Sequence, residues 1–157
     1  MRLKFWMFVL TILVLSSALV TASRSFSDEA GAVEQTLLNY AAAIQSKNMS
    51  EIEKYVVTTD AFTIFEGGHI NWGWQDYRDH HIGPELKQFL EINYSFSDIK
   101  VKVYGNAAYA IFETSIAVKM ETRNFDSEGL ATAILIKTNG NWKIQHMHTS
   151  RIPKKKP

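Results

Sequence analysis

Apolar positions recur at helical spacing from Asp28 to Ser46, where Val33, Leu37, Tyr40 or Ala41, and Ile44 share one face. Ser27 is available as the N-cap and acids occupy the first turn, so an amphipathic helix is predicted here. A second, shorter helix is expected from Asn48, whose side chain can cap while Glu51 follows three residues on, burying Ile52, Tyr55 and Val56 and ending near Asp60. Ala61 to Glu66 reads as a strand of aromatic and β-branched residues stopped by Gly67-Gly68, with a short extended piece from His69 to Asn71. Gly73 to Leu90 then returns to helical spacing, with a kink expected at Gly83-Pro84 because proline cannot donate to the carbonyl of His80. Projection at about 100° per residue groups His81 with Trp74 and Tyr77 and turns His80 outward.

After Asn93 the pattern changes period. Tyr94 to Val103, Ala107 to Lys119 and Ala131 to Arg151 alternate as strands, joined by a Gly105-Asn106 turn, a longer loop over Glu121 to Gly129, and Asn139-Gly140. Asn-Gly suits a type I′ hairpin turn, in which both central residues take positive φ. The prediction is a four-stranded antiparallel meander preceded by helices, an α+β domain whose helices cover one sheet face. Ala108, Ala110, Phe112, Ile116 and Val118 form one face of the strand from Ala107, yet Tyr109, Ile111 and Ala117 make its other face apolar as well. A second covering surface is therefore expected, and a homodimer packed sheet to sheet would supply it.

The N-terminus does not belong to this pattern. Arg2 and Lys4 precede an apolar run from Phe5 to Leu15, and Val20-Thr-Ala22 offers small residues at a cleavage site, so residues 1–22 read as a secretory signal peptide. Cleavage is expected after Ala22, with Ala18 as the alternative, leaving a secreted or periplasmic protein with no stable membrane anchor. The organisation that follows is residues 1–22 signal peptide, 23–27 an N-terminal segment, 28–152 one domain, and 153–157 a basic tail. Losing Arg2 and Lys4 leaves 15 basic against 16 acidic residues, which turns the net charge from +1 to −1. Nucleic-acid binding has no support, since the only basic run is Lys154 to Lys156 beside proline. The absence of cysteine excludes a disulfide framework, so the core alone must hold the domain. Asn48-Met-Ser50 and Asn93-Tyr-Ser95 match glycosylation sequons, which matter only in a eukaryotic secretory host.

The element order, together with Phe65-Glu-Gly-Gly-His69, Gly73-Trp-Gln-Asp-Tyr-Arg-Asp-His-His-Ile-Gly-Pro-Glu-Leu86 and Asn139-Gly-Asn-Trp-Lys-Ile-Gln-His-Met-His-Thr-Ser150, resembles the nuclear transport factor 2-like superfamily, specifically its SnoaL-like members. The last run is similar to the calcium/calmodulin-dependent kinase association domain. The resemblance implies a strongly curved, mostly antiparallel sheet wrapped on three N-terminal helices into a cone with a pocket at its mouth, in the order α-α-β-β-α-β-β-β-β, and usually a dimer. It implies no single activity. By the same resemblance Tyr40 stands where ketosteroid isomerases keep an enolate-binding tyrosine, while Phe65 occupies the place of their general-base aspartate and Glu66 turns to the other strand face. The anion-binding arginines of the kinase association domain are matched by Ala133 and Thr149, with Arg151 sharing the parity of Thr149. It further assigns Gln145, Met147, Thr149 and Arg151 to the pocket, and Trp142, Ile144, His146 and His148 to the dimer side.

The candidate pocket is therefore Tyr40, Phe65, Trp74, Tyr77 and His81, with Gln145, Met147, Thr149 and Arg151 opposite. It is an aromatic lining with a few polar tips, as small-molecule sites tend to have. No cofactor motif is present. A metal reading would draw on His69, His81, His146 and His148 with Glu66 or Glu85, residue types that suit zinc or copper, but the spacing carries no metal signature. Three functions fit: an exported dimer that binds a small, partly apolar ligand without turnover; an acid-base isomerase or cyclase using His81 as base and Tyr40 as donor; and an association scaffold.

Overall fold

The computed structural model describes residues 28–153; the expected leader, residues 23–27 with the Ser27 cap, and the lysine run lie outside the described residues. Helix α1 spans 28–45 and buries the face that periodicity selects, Val33, Leu37, Tyr40, Ala41 and Ile44. Near its start, Glu29 accepts a hydrogen bond from Trp142 Nε1 at 2.8 Å and pairs with Lys137. These contacts fasten the helix to the C-terminal hairpin. Helix α2 is only Met49–Ile52, capped by Asn48 Oδ1, which accepts from the Ser50 amide at 3.1 Å. It ends earlier than its pattern predicts because the backbone beyond it is claimed by the sheet: Val57 N–H donates to Ile144 C=O and Ile144 N–H to Tyr55 C=O. β-branched Val56 and Val57 favour that extended pairing over another helical turn.

Strands β1 (Thr63–Glu66) and β2 (His69–Trp72) form a hairpin. A helical segment follows as α3 (Trp74–Tyr77), a π-turn (Arg78–Ile82) and α4 (Gly83–Gln88). The chain ends in the long meander β3 (Glu91–Tyr104), β4 (Ala107–Lys119), β5 (Asn124–Thr138) and β6 (Asn141–Arg151). Sheet order is β2-β1-β6-β5-β4-β3, with β1 parallel to β6 and every other pair antiparallel. The sheet is mixed, curled but not closed, and the helices lie on its concave side. At the β5–β6 turn Asn139 and Gly140 both have positive φ, 52° and 81°. The loop predicted over Glu121 to Gly129 is shorter than expected, because β5 begins at Asn124 and pairs with the end of β4 as far as Lys119.

The concave face carries Ile64, Ala110, Phe112, Ala133, Leu135, Ile144 and Met147, all buried against the helices. The small residues on β4 and β5 let Tyr40 and Phe96 stack at 6.4 Å above the sheet. The outer face keeps Tyr109, Ile111, Leu130 and Ile134 exposed.

Strand β6 corrects the predicted assignment of its two faces. Simple alternation groups Trp142 and Ile144 with His146 and His148. The pairing with β5 instead shifts between Ile134 and Leu135, so that His146 faces Ile134, Ile144 faces Leu135, and Gln145 is the extra residue of a bulge. One inserted residue inverts the parity on either side of it. Trp142 and Ile144 are consequently core residues, 4% and 1% exposed, on the same side as Met147, Thr149 and Arg151. They are not available to a dimer face. Ile144→Ala should therefore lower the unfolding free energy measured in urea by about 2–5 kcal/mol, the range for a buried aliphatic truncated to alanine; a loss below about 1 kcal/mol would place Ile144 outside the core.

Candidate functional site

At the open end of the curled sheet lies a cavity of about 420 Å³. One wall is acidic and imidazole-bearing, made by Glu66 and His69 from the β1–β2 hairpin and by His81 and Glu85 from the helical segment. Phe89, Ile116, Met120 and Phe125 provide apolar surface, and Arg123 of the β4–β5 turn joins Thr149 and Arg151 of β6 in the lining.

Glu66 is the group whose chemistry is most altered. Ile64, two residues earlier, is buried at 1%, so strand alternation brings Glu66 to the same concave side. Its side chain keeps about a third of its surface, 33%. Burial pushes its carboxyl up to about 7, and the Glu85 carboxylate adds to the rise; hydrogen bonding from the Tyr77 hydroxyl opposes it. Tyr77 in turn shares a hydrogen bond with Tyr40. Both phenols are buried and held above their ordinary range, chiefly by desolvation, so both stay protonated as donors. Tyr94, buried beside Phe96, behaves the same way.

His81 is oriented by a chain of hydrogen bonds. Asp76 Oδ2 accepts from Asn71 Nδ2 at 3.0 Å, which leaves Asn71 Oδ1 to accept from His81 Nδ1 at 2.8 Å. In the neutral ring that bond fixes the proton on Nδ1 and presents the Nε2 lone pair to the cavity. Nε2 stands 3.5 Å from Glu85 and 4.0 Å from Glu66. The side chain is 13% exposed, and desolvation lowers its pKa, so the ring is neutral at neutral pH. The π-turn sets this aim. Gly83 N–H reaches back to Arg78 C=O, and a Cβ on Gly83 would sit 2.3 Å from that oxygen, so only glycine fits the wide turn. Where a kink was predicted from Pro84, the helix widens instead and continues.

The sequence profile of the SnoaL-like domain matches residues 33–155. The chain belongs to the SnoaL-like family. A comparison with curated proteins returned no match. Among solved structures, this SnoaL-like domain is similar to a nuclear transport factor 2-like superfamily protein from Salmonella enterica serovar Typhimurium, at 17% identity and TM-score 0.73, covering 85% of this chain and 94% of that one. It is also similar to a proposed ketosteroid isomerase from Shewanella frigidimarina (22%, TM-score 0.65, 76% and 94%). The association domain of CaMKII from C. elegans is a third such structure (16%, TM-score 0.63, 80% and 98%). At these identities the likeness carries the fold alone, and the cone of the nuclear transport factor 2-like superfamily is the fold it carries.

Several residues predicted for the pocket of the SnoaL-like domain lie elsewhere. Phe65 points to the outer face, where its ring meets His146 at 5.3 Å, His148 at 5.8 Å and Trp72 at 5.9 Å, and Glu66 takes the concave side instead. Trp74 is core, edge-on to Phe62, with its Nε1 donating to Glu53 at 2.9 Å. Met147 is 1% exposed in the core, and Gln145 is the bulge residue. Tyr77 lies behind the cavity wall, 5.1 Å from the His81 ring, and Tyr40 lies behind Tyr77. Thr149 and Arg151 line the cavity. His69 and His81 are close, at 5.9 Å, whereas His146 and His148 lie across the sheet, His146 Nδ1 bonded to Thr63 Oγ1 at 2.7 Å. The four histidines thus do not converge, and among the described residues no group of three or more potential ligands is placed to hold a metal. Glu66, Glu85, Phe89 and Arg123 were missed as cavity residues. Glu85 and Phe89 carried a signal, since helical projection sets both beside His81.

A side-chain carbon-13 titration of Glu66 should give a midpoint of about 7, against an ordinary 4.5. The native state then binds more protons than the unfolded chain between those values, so unfolding free energy should fall as pH rises from about 4.5 to about 7. Glu66→Gln should remove that part of the slope; an unchanged slope would mean that Glu66 is not the carboxyl with the raised pKa.

Proposed function

We propose that this domain binds a small, partly apolar molecule in its cone and moves a proton on it, with Glu66 and His81 as the acid-base pair. The observation that carries this reading is the placement of Glu66 and His81 Nε2 4.0 Å apart on one cavity wall, with Glu85 3.5 Å from the same nitrogen, so that one substrate atom can reach both groups. Proton transfer near neutral pH needs groups whose protonation is divided there, and a carboxyl raised to about 7 beside a neutral imidazole meets that need. Tyr77, backed by Tyr40, supports the carboxyl. Binding without turnover was expected because Phe65 fills the place of the isomerase base; with Glu66 on the cavity side, that ground is gone. Similarity of fold to the proposed ketosteroid isomerase from Shewanella frigidimarina is consistent with this class of reaction.

The test is α-proton exchange in D₂O, followed by proton NMR, over a panel of small β,γ-unsaturated and β-hydroxy ketones. The protein should accelerate exchange of at least one compound, with a rate that climbs through about pH 7 as Glu66 ionises. Glu66→Gln should reduce it by about 10²–10⁴-fold, the usual contribution of a positioned acid or base. Equal rates for the variant and the parent would sink the catalytic role.

The outer sheet face supports a homodimer as its assembled form, and the leader supports export to a secreted or periplasmic location. Tyr109, Ile111, Leu130 and Ile134 are 39–52% exposed on two adjacent strands, an apolar area of the kind that marks an interaction surface. The association domain of CaMKII from C. elegans shares the fold. Among the described residues no helix is long and apolar enough to cross a membrane. Light scattering at micromolar concentration should give twice the chain mass, and Ile111→Glu should halve it; a parent that is already monomeric would remove the dimer.

A further inference from the structure

Asn71 is the buried residue of β2. Its cross-strand partner is Ile64, whose side chain is committed to the core, so the amide is carried to the same side and must find partners there. Gly73, at φ 85°, turns the chain from β2 into α3, and Asp76 in the first turn comes back against the strand. Its carboxylate accepts from Asn71 Nδ2 at 3.0 Å, from the Trp72 amide at 3.2 Å and from His80 Nδ1 at 3.0 Å. The bond from Asn71, and then that from His80, hold this carboxyl below the ordinary aspartate value, so it is an ionised acceptor at neutral pH. An ionised carboxylate cannot donate. The amide nitrogen must therefore face Asp76 and the amide oxygen must face His81, where a carbonyl oxygen in turn leaves Nδ1 no role but donor. The charged and titratable groups around the ring are Glu66 of β1, His69 of β2, Asp76 and Tyr77 of α3 and Glu85 of α4, with Arg123 and Arg151 completing the charged lining of the cavity. Of the charges acting on His81, that of Asp76, behind the amide, acts least. The amide conveys direction and little charge.

We infer that Asn71 is a positioning residue that makes His81 the proton acceptor at the cavity, by passing on the orientation set by Asp76 while keeping that carboxylate out of contact with the ring. This rests on the proton-transfer reading proposed above. The step it permits is one proton moving onto the Nε2 lone pair, either from a substrate atom that keeps the bonding electron pair or from the Glu66 carboxyl. The imidazolium so formed is met by Glu85 at 3.5 Å and Glu66 at 4.0 Å. With a carboxylate at position 71 the ring would rest as the imidazolium and could only donate.

The test is the tautomer of His81 in the folded full chain, read from long-range proton–nitrogen-15 correlations, which need neither ligand nor turnover. Above the titration of both Glu66 and His81, the parent should show a protonated Nδ1 and an unprotonated Nε2. Asn71→Ala removes the acceptor at Nδ1 and leaves the Glu85 and Glu66 carboxylates beside Nε2, so the proton should move to Nε2. The double variant Asn71→Asp with Asp76→Asn brings the carboxylate one link nearer and keeps the hydrogen-bonded chain, which also provides a folded protein should Asn71→Ala fail to fold. Its His81 should keep the proton on Nδ1 and gain about tenfold or more in proton affinity, as for an opposite charge in contact. A parent ring protonated on Nε2, a tautomer unmoved by Asn71→Ala, or a double variant whose His81 titrates like the parent's would each overturn the inference, whether or not the protein accelerates exchange of a ketone. The expected tautomers in a protein that exchanges none of the ketones would uphold the hold of Asn71 on the ring and sink the proton-transfer reading alone. Where exchange is accelerated, Asn71→Ala should lower kcat by about 10²-fold with KM little changed, and an unchanged kcat would overturn the inference.

Discussion

The short parallel pairing of β1 with β6 is the constraint on which the site depends. It sets Ile64 beside Met147 and Phe65 beside His148, and so decides which side of β1 looks into the cone. With Ile64 committed to the core, the four-residue strand has no freedom left: Glu66 must point inward and Phe65 outward. The helical segment then closes over Glu66, placing Tyr77 behind the carboxyl and His81 in front of it. Each of these placements would invert if the strand slipped by one residue, because side chains alternate with a period of two.

That arrangement costs stability in order to make a reactive group. A carboxyl held at about 7 sits in surroundings that resist its ionisation, and the second carboxylate of Glu85 makes the resistance greater. The surrounding core is what can bear this. The helices bring Val33, Leu37 and Ile52 to full burial, and the Glu29 contacts to Trp142 and Lys137 hold α1 on the hairpin. Local cost at a site borne by packing elsewhere is the usual condition for perturbed acids and bases.

Much of the architecture was legible because it is local. Helical periodicity in α1, the Asn48 cap, the Asn139-Gly140 turn and the alternation of the meander each depend on residues close in sequence, and each predicts its element. What escaped was decided by distant contacts. The sequence around residue 65 reads most naturally with Phe65 buried and Glu66 exposed, since burying a phenylalanine is favourable and burying a glutamate is not. Instead both are half-buried, with Glu66 turned to the cavity and Phe65 to the outer face, because Ile64 and β6 fix the phase, and nothing local in Phe65-Glu66 reveals it. The bulge at Gln145 escaped for a related reason: no glycine or proline marks it, and it shows only in the pairing with β5. Arg123 sits within a stretch that reads as loop, where side-chain direction follows no period.

The bulge has a wider meaning for what this hairpin can become. It acts as a phase switch within a single strand, dividing eleven residues into two runs of opposite parity. With Gln145 present, the residues beyond it send Met147, Thr149 and Arg151 inward and hold both imidazoles against the outer face. Flattening the bulge, with Gln145 kept in the ladder and Ile144 held in place, would bring His146 and His148 to the cavity side and turn Arg151 outward. Two different linings of the same cavity are therefore separated in this sequence by whether one residue is bulged out of the ladder.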